Sequence, residues 1–174
     1  MKALRFLAGA GVALTTHEAG HLALDFLFDA DPRLKSVDFH GLPFFAITHR
    51  GNLSPRREFL ISSAGFTVQH LENEWLFARR PNLRRERAPL LKGALAFNIA
   101  TSAAYAGAAF VRTGPYERDT RGMASASRVD ERVIGVMVLA PAVLDAWRYF
   151  HPESRWAAWT SRGAKAALLL LVIR

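Results

Sequence analysis

The chain has 174 residues, 51% of them hydrophobic and 22% charged, with a net charge of +8 and no cysteine. That length suits one compact unit without room for a second full-sized enzyme domain, and the apolar content excludes a disordered chain. Without cysteine there is no disulfide, no thiolate nucleophile and no thiolate-bound zinc, so a metal must be held by His, Asp or Glu.

The mean hydropathy of +0.07 is high for a basic soluble domain and low for an ordinary multi-pass membrane protein. The order of residues decides more than their sum. Arginines cluster between apolar segments, five of which are read as helices. The first, 4–28, is long enough to span a bilayer, which takes about 20 residues. Lys2 and Arg5 ahead of it resemble a secretion signal, but no small-residue cleavage site follows before a mature domain. The segment is therefore read as a retained helix.

Between the first two helices, Val37, Phe39, Phe45 and Ile47 alternate with polar or small residues around the turn formers Gly41 and Pro43. This pattern predicts a short β-hairpin. Segment 59–78 carries Gln69, His70, Glu72 and Glu74, and so must face protein or water on one side. Glu72 and Glu74 also read as wet helix-end residues facing Arg79 and Arg80. Segment 90–111 holds only Lys92 as a charge and is the best spanning candidate. Segment 133–150 is marginal in length. Segment 156–173 contains Arg162 and Lys165, which would snorkel or lie at the interface. The fold expected is mainly α, a multi-pass helical membrane bundle of about five helices with one hairpin, forming a single domain over 1–174.

The first helix contains His17-Glu18-Ala19-Gly20-His21, an HExxH pattern. Residues four apart share a helical face, so both imidazoles can reach one metal ion. Glu18 projects beside that face and can take a proton from a water polarised by the ion. Ionisable groups inside an apolar helix are costly unless they act. A catalytic zinc needs a third protein ligand and an open position. Asp25 is about 12 Å along the axis from His17, too far to share the ion. It is read as a residue supporting the ligands or as a polar helix end. Asp119, Glu72, Glu74, His70, Asp145 and Glu117 are candidates. If the first three helices cross in turn, the loop after the third returns to the end of the first. This favours Asp119, with His70 as a supporting residue. His40, His49 and His151 read as solvated loop or turn histidines.

With these residues in place, the chain resembles the site-2 protease family of intramembrane zinc metalloproteases over roughly 10–125. Those proteins carry HExGH in a transmembrane helix, then a hairpin, here 34–49. A small-residue AGPxxN signature follows in the next helix, here Ala64-Gly65-Phe66-Thr67-Val68-Gln69 with Phe for Pro and Gln for Asn. Their next helix starts with or contains an Asn and leads through prolines to an Asp-Gly. Here Asn98, Pro115, Asp119 and Gly122 follow in that order, with Asp and Gly not adjacent. The resemblance implies Zn2+ on His17, His21 and Asp119, with Glu18 as catalytic base. Asn98 or Gln69 would bind the substrate backbone or the oxyanion. It also implies membrane lipid and a transmembrane or membrane-proximal protein substrate as partners. The location implied is a bacterial inner membrane, with zinc towards the cytoplasmic side. The Thr-x-HEAGH string is similar to the membrane-anchored ATP-dependent zinc proteases as well, but no GxxxxGK[ST] phosphate loop is present.

Two other readings compete. The departures around Asp119 allow a non-proteolytic or degenerate metal-binding membrane protein. The arginines at 79, 80, 84, 85 and 87 allow a nucleic-acid binder, but they flank an apolar span without any nucleic-acid motif, so no nucleic-acid partner is expected. Lys and Arg number about ten at each end of the helices, so the charge rule sets no orientation.

Overall fold

The structure, a computed structural model, describes residues 1–39 and 42–170. His40 and Gly41, assigned above to the hairpin turn, lie outside the described residues, as does the end of the fifth apolar segment. The order of elements is α1 (Lys2–Leu27), β1 (Arg33–Phe39), β2 (Leu42–Thr48), α2 (Pro55–Arg79), α3 (Pro89–Val111), α4 (Asp119–Ser127), α5 (Glu131–Phe150) and α6 (Arg155–Leu170). A single 3-10 turn, Leu83–Arg85, links α2 to α3.

The helices begin where local chemistry favours it. Ser54 caps α2 by accepting from the Arg57 amide, with Pro55 and Glu58 in the first turn. Asp130 caps α5 by accepting from the Arg132 amide at 2.8 Å. Pro89 opens α3. The hairpin is a two-stranded antiparallel sheet in which Arg33 faces Thr48 and Leu34 faces Ile47.

α1 packs antiparallel to α2 and parallel to α3. His17 lies against Gly65, and His21 reaches the Ile61 carbonyl one turn earlier in α2. On the α3 side, Gly9 meets Leu90 and Ala94, and Gly93 meets Phe6. A β-carbon added at Gly9 or Gly93 would come within 1.9 Å of a backbone oxygen on the facing helix. These glycines therefore set the distance between the helices, as small residues do in membrane bundles. Apolar packing fills the rest. One cluster joins Phe59 and Phe66 of α2 to Met123, Ile134, Val138 and Leu168, and a second joins Leu76, Phe77, Leu83 and Leu95.

Several expectations need correction. Among the described residues there are six helices rather than about five, because α4 forms where a loop is expected. Glu74 is not a wet helix end facing Arg79 and Arg80. It receives Arg148, Arg162 at 2.9 Å and Lys165 at 2.6 Å. Buried Asp145 accepts from Asn73 at 2.9 Å, Ser161 at 2.6 Å and Lys165 at 2.9 Å. Lys165 is thus buried inside rather than snorkelling, because two carboxylates on α2 and α5 answer its charge. Among the described residues, α3 and α5 are long and apolar enough to cross a membrane.

Gly93→Ala should destabilise the protein by about 1–3 kcal/mol through overpacking against the Phe6 backbone. Gly107→Ala in the same helix has open space around it and should be neutral or slightly stabilising. Thermal unfolding in detergent measures both; equal midpoints would contradict the close approach.

Candidate metal centre

α1 presents a buried stripe of Gly9, Ala13, His17, His21 and Asp25, one residue per turn. His17 and His21 point from this stripe towards the start of α4, where Asp119 is the first helical residue. His17 Nε2 is 3.1 Å from Asp119 Oδ2, His21 Nε2 is 3.4 Å from the same oxygen, and the two Nε2 atoms are 3.3 Å apart. Ligands at about 2.0–2.1 Å from one tetrahedral ion lie about 3.3 Å from each other. The three atoms thus span one face of such a tetrahedron, and the trio can hold a metal ion.

Hydrogen bonding prepares one ligand further. His21 Nδ1–H donates to the Ile61 carbonyl at 2.7 Å, which leaves the Nε2 lone pair facing Asp119. The His17 ring lies where any side chain at position 65 would be. A β-carbon there would fall 2.3–2.5 Å from ring atoms. Phe66 meets the His17 ring edge-on at 5.7 Å between centroids, and Tyr105 of α3 lies 6.3 Å away on another side.

Asp119 is held from both of its chain neighbours. Arg118 forms a two-pronged pair with Glu131 at the start of α5, Nε to Oε1 and Nη2 to Oε2, both at 2.7 Å. Its Nη1 donates to the Pro115 carbonyl at 2.9 Å. Thr120 Oγ1 donates to the same Glu131 Oε1 at 2.9 Å. A single carboxylate therefore fixes the residues before and after Asp119. Gly122 completes the seating, since a β-carbon there would strike Ser62 Oγ at 2.2 Å. The separated Asp and Gly noted in the sequence thus lie on one short helix pressed against α2.

The remaining predicted residues fall elsewhere. Asn98 donates to Glu72 Oε2 at 3.1 Å and to Asn73 Oδ1 at 2.9 Å. Glu72 is seven residues, about 10 Å, beyond Gly65 along α2, so Asn98 ties α3 to α2 away from the trio. Gln69 is fully buried one turn past Gly65, without a hydrogen-bond partner among the described residues. His70 faces the charges of Lys165, Asp145 and Glu74, not the two histidines, because it lies beyond Gly65 on the α6 side. Asp25 lies one turn past His21 on the same stripe and 3.4 Å from His49, without a hydrogen bond to His17 or His21. Glu18 is half-buried at the edge of the trio.

His49, expected to be a solvated strand end, is half-buried with Nε2 2.9 Å from Glu58 and Nδ1 towards Asp25. The Glu58 contact raises its pKa above the ordinary histidine value. A cavity of about 740 Å³ opens here. It is walled by His21, Asp119, His49, Glu58 and Tyr116, with Lys35 of β1 and Ile47 of β2. Lys35 pairs with Glu117 across it and holds that carboxyl low. His49, Glu58, Tyr105 and Glu131 carry no local signal in the sequence.

No family model, curated protein or solved structure matches the chain.

Gly65→Ala should lower divalent metal affinity at least about tenfold by displacing His17. Competition with a chromophoric chelator reads this, and an unchanged constant would contradict the packing argument. Glu131→Gln keeps the side-chain volume but removes the charge that holds Arg118. Affinity should fall about 10–100-fold with helicity retained, read by the same titration beside circular dichroism.

Proposed function

We propose that this chain is a multi-pass membrane zinc endopeptidase of site-2 protease type, cleaving membrane-associated protein substrates. The observation that carries the reading is the 3.1–3.4 Å triangle of His17, His21 and Asp119, drawn from elements about a hundred residues apart. An imidazole pair and one carboxylate, with room for a fourth position, is the donor set of a catalytic zinc site. Membrane embedding is supported by α3 and α5 and by exposed apolar residues such as Leu7, Val12, Val111 and Val136.

When bound, zinc supplies Lewis-acid polarisation and brings the pKa of water down towards neutrality. The protein's own residues do the rest. His17 and His21 enter as neutral donors, and Asp119 lends one negative charge. Glu18 takes the proton of the attacking water and returns it to the leaving amine. The hairpin borders the cavity through Lys35, Ile47 and Thr48, and its free edge offers backbone groups to an extended substrate strand.

One observation favours the non-proteolytic alternative: His21 and Asp119 line the cavity, whereas Glu18 does not. The same experiment separates the two readings. In proteoliposomes with a model transmembrane substrate, the wild type should cleave. Glu18→Gln should retain one zinc per chain and lose at least about a hundredfold in rate. Cleavage by Glu18→Gln sinks the mechanism, and a zinc-loaded wild type without cleavage selects the alternative.

A further inference from the structure

Both ends of the bundle carry exposed arginines, but they differ in how tightly these are grouped and in what surrounds them. At the metal end, Arg33–Asp31, Lys35–Glu117, Arg112–Asp130 and Arg118–Glu131 pairs stand beside Arg50, Arg56, Arg57 and Arg121, which are exposed without an acidic partner among the described residues and spread over several elements. At the other end, the α2–α3 connection brings Arg79, Arg80, Arg84, Arg85 and Arg87 to the surface, all exposed. Among the described residues only Arg80 there has an acidic partner, Glu86 at 3.3 Å. The parallel packing of α1 on α3, with Phe6 at Gly93, adds exposed Lys2 and Arg5 to the same end.

The tryptophans separate the two ends more sharply. The chain has four, and all lie at this end. Trp75 is one turn before Arg79. Trp147 closes α5, and its ring lies 4.2 Å from His151 and 6.0 Å from Trp156. Trp159 follows one turn later in α6. Each is 45–67% exposed. Indole rings left this exposed beside arginines match the boundary between acyl chains and headgroups, where an apolar body and a polar N–H are both satisfied.

Between these groups lies a cavity of about 530 Å³, walled by Pro81, Asn82, Arg84, Arg85, Phe150 and His151. Arg84 is held in place, its guanidinium 5.3 Å above the Phe150 ring and 3.4 Å from the Phe150 carbonyl. Glu153 stands at the rim, 3.7 Å from His151. A fixed guanidinium with a second one beside it, over an aromatic floor, suits a phosphate diester carrying acyl chains.

We propose that this end of the bundle binds anionic phospholipid headgroups, with Arg84 and Arg85 as the phosphate contacts and the tryptophans as the interfacial collar. The inference rests on the membrane reading above and is independent of proteolysis. Because every tryptophan is at this end, intrinsic fluorescence reports on it alone.

The full chain is reconstituted in vesicles of equal parts phosphatidylcholine and phosphatidylglycerol, with either lipid brominated in its acyl chains. Brominated phosphatidylglycerol should quench the wild type more strongly than brominated phosphatidylcholine. Lipid retained after detergent extraction should be enriched roughly fivefold or more in phosphatidylglycerol. Arg84→Gln/Arg85→Gln/Arg87→Gln should quench equally with both lipids and retain them in the bulk ratio. Arg85→Gln alone, an exposed change, should fall between. Arg50→Gln/Arg56→Gln/Arg57→Gln removes the same charge from the metal end and should keep the preference. Equal quenching of the wild type by both lipids overturns the proposal, as does equal loss in the two triple variants. So does a patch that binds single-stranded RNA without lipid preference. A wild type that carbonate strips from phosphatidylcholine vesicles overturns the membrane reading itself, and this proposal with it.

Discussion

The contact between the His17 imidazole and the bare α-carbon of Gly65 is the constraint on which the site depends. An α-helix carries its side chains as a shell that normally separates two axes by 8–10 Å. Removing the shell at one residue lets a ring occupy the space where the neighbour's side chain would lie. Gly9, Gly20 and Gly93 repeat this along α1, so the first helix is held close on two sides. An amphipathic stripe of Gly9, Ala13, His17 and His21 can then be buried although half of it is polar. The polar half is directed at Asp119, and the small half gives the backbone contact that keeps it there.

A second set of polar contacts holds the far side of the molecule. Glu74 and Asp145 draw Arg148, Arg162 and Lys165 inward, and Asn73 and Asn98 extend the network to α3. Buried ion groups are costly unless fully answered. Here three cations face two acids through several short bonds, so α6 is fastened by charge as well as by Leu168 in the apolar cluster. This leaves α6 free to turn Trp156 and Trp159 outward. The molecule has one polar region that gathers His17, His21 and Asp119, another that ties helices, and one basic end with aromatic rings. The three share little beyond the helices that connect them.

Much of this was legible in the chain. The spacing of His17 and His21 placed them on one face, and the alternation of three apolar segments returned Asp119 to their level. The hairpin followed from the alternation around Val37 and Ile47. What could not be read were the partners fixed by tertiary packing. Nothing local distinguishes Glu131 from any acid in a first helical turn. Its role exists only because α4 turns Arg118 and Thr120 towards the start of α5. Glu74 looked solvated because Arg79 and Arg80 are near in sequence, whereas its partners lie 74 to 91 residues away. Order along the chain fixes neither the depth nor the facing of Asn98 and Gln69. A strand end such as His49 carries no sign of the helix ends that close over it.

The segment carrying Asp119 is bounded by two residues of unusual backbone. Arg112 ends α3 and Arg128 ends α4 in the left-handed conformation, at φ of 52° and 56°. Glycine normally takes such positions, and a residue with a β-carbon costs roughly 1 kcal/mol more there. His17 and His21, by contrast, belong to the deeply packed part of a 26-residue helix. The trio is therefore divided between segments of very different length. Two of the three groups sit on a 26-residue helix and the third on a nine-residue one, so the trio holds together only while Met123 of the short helix stays packed in the apolar cluster.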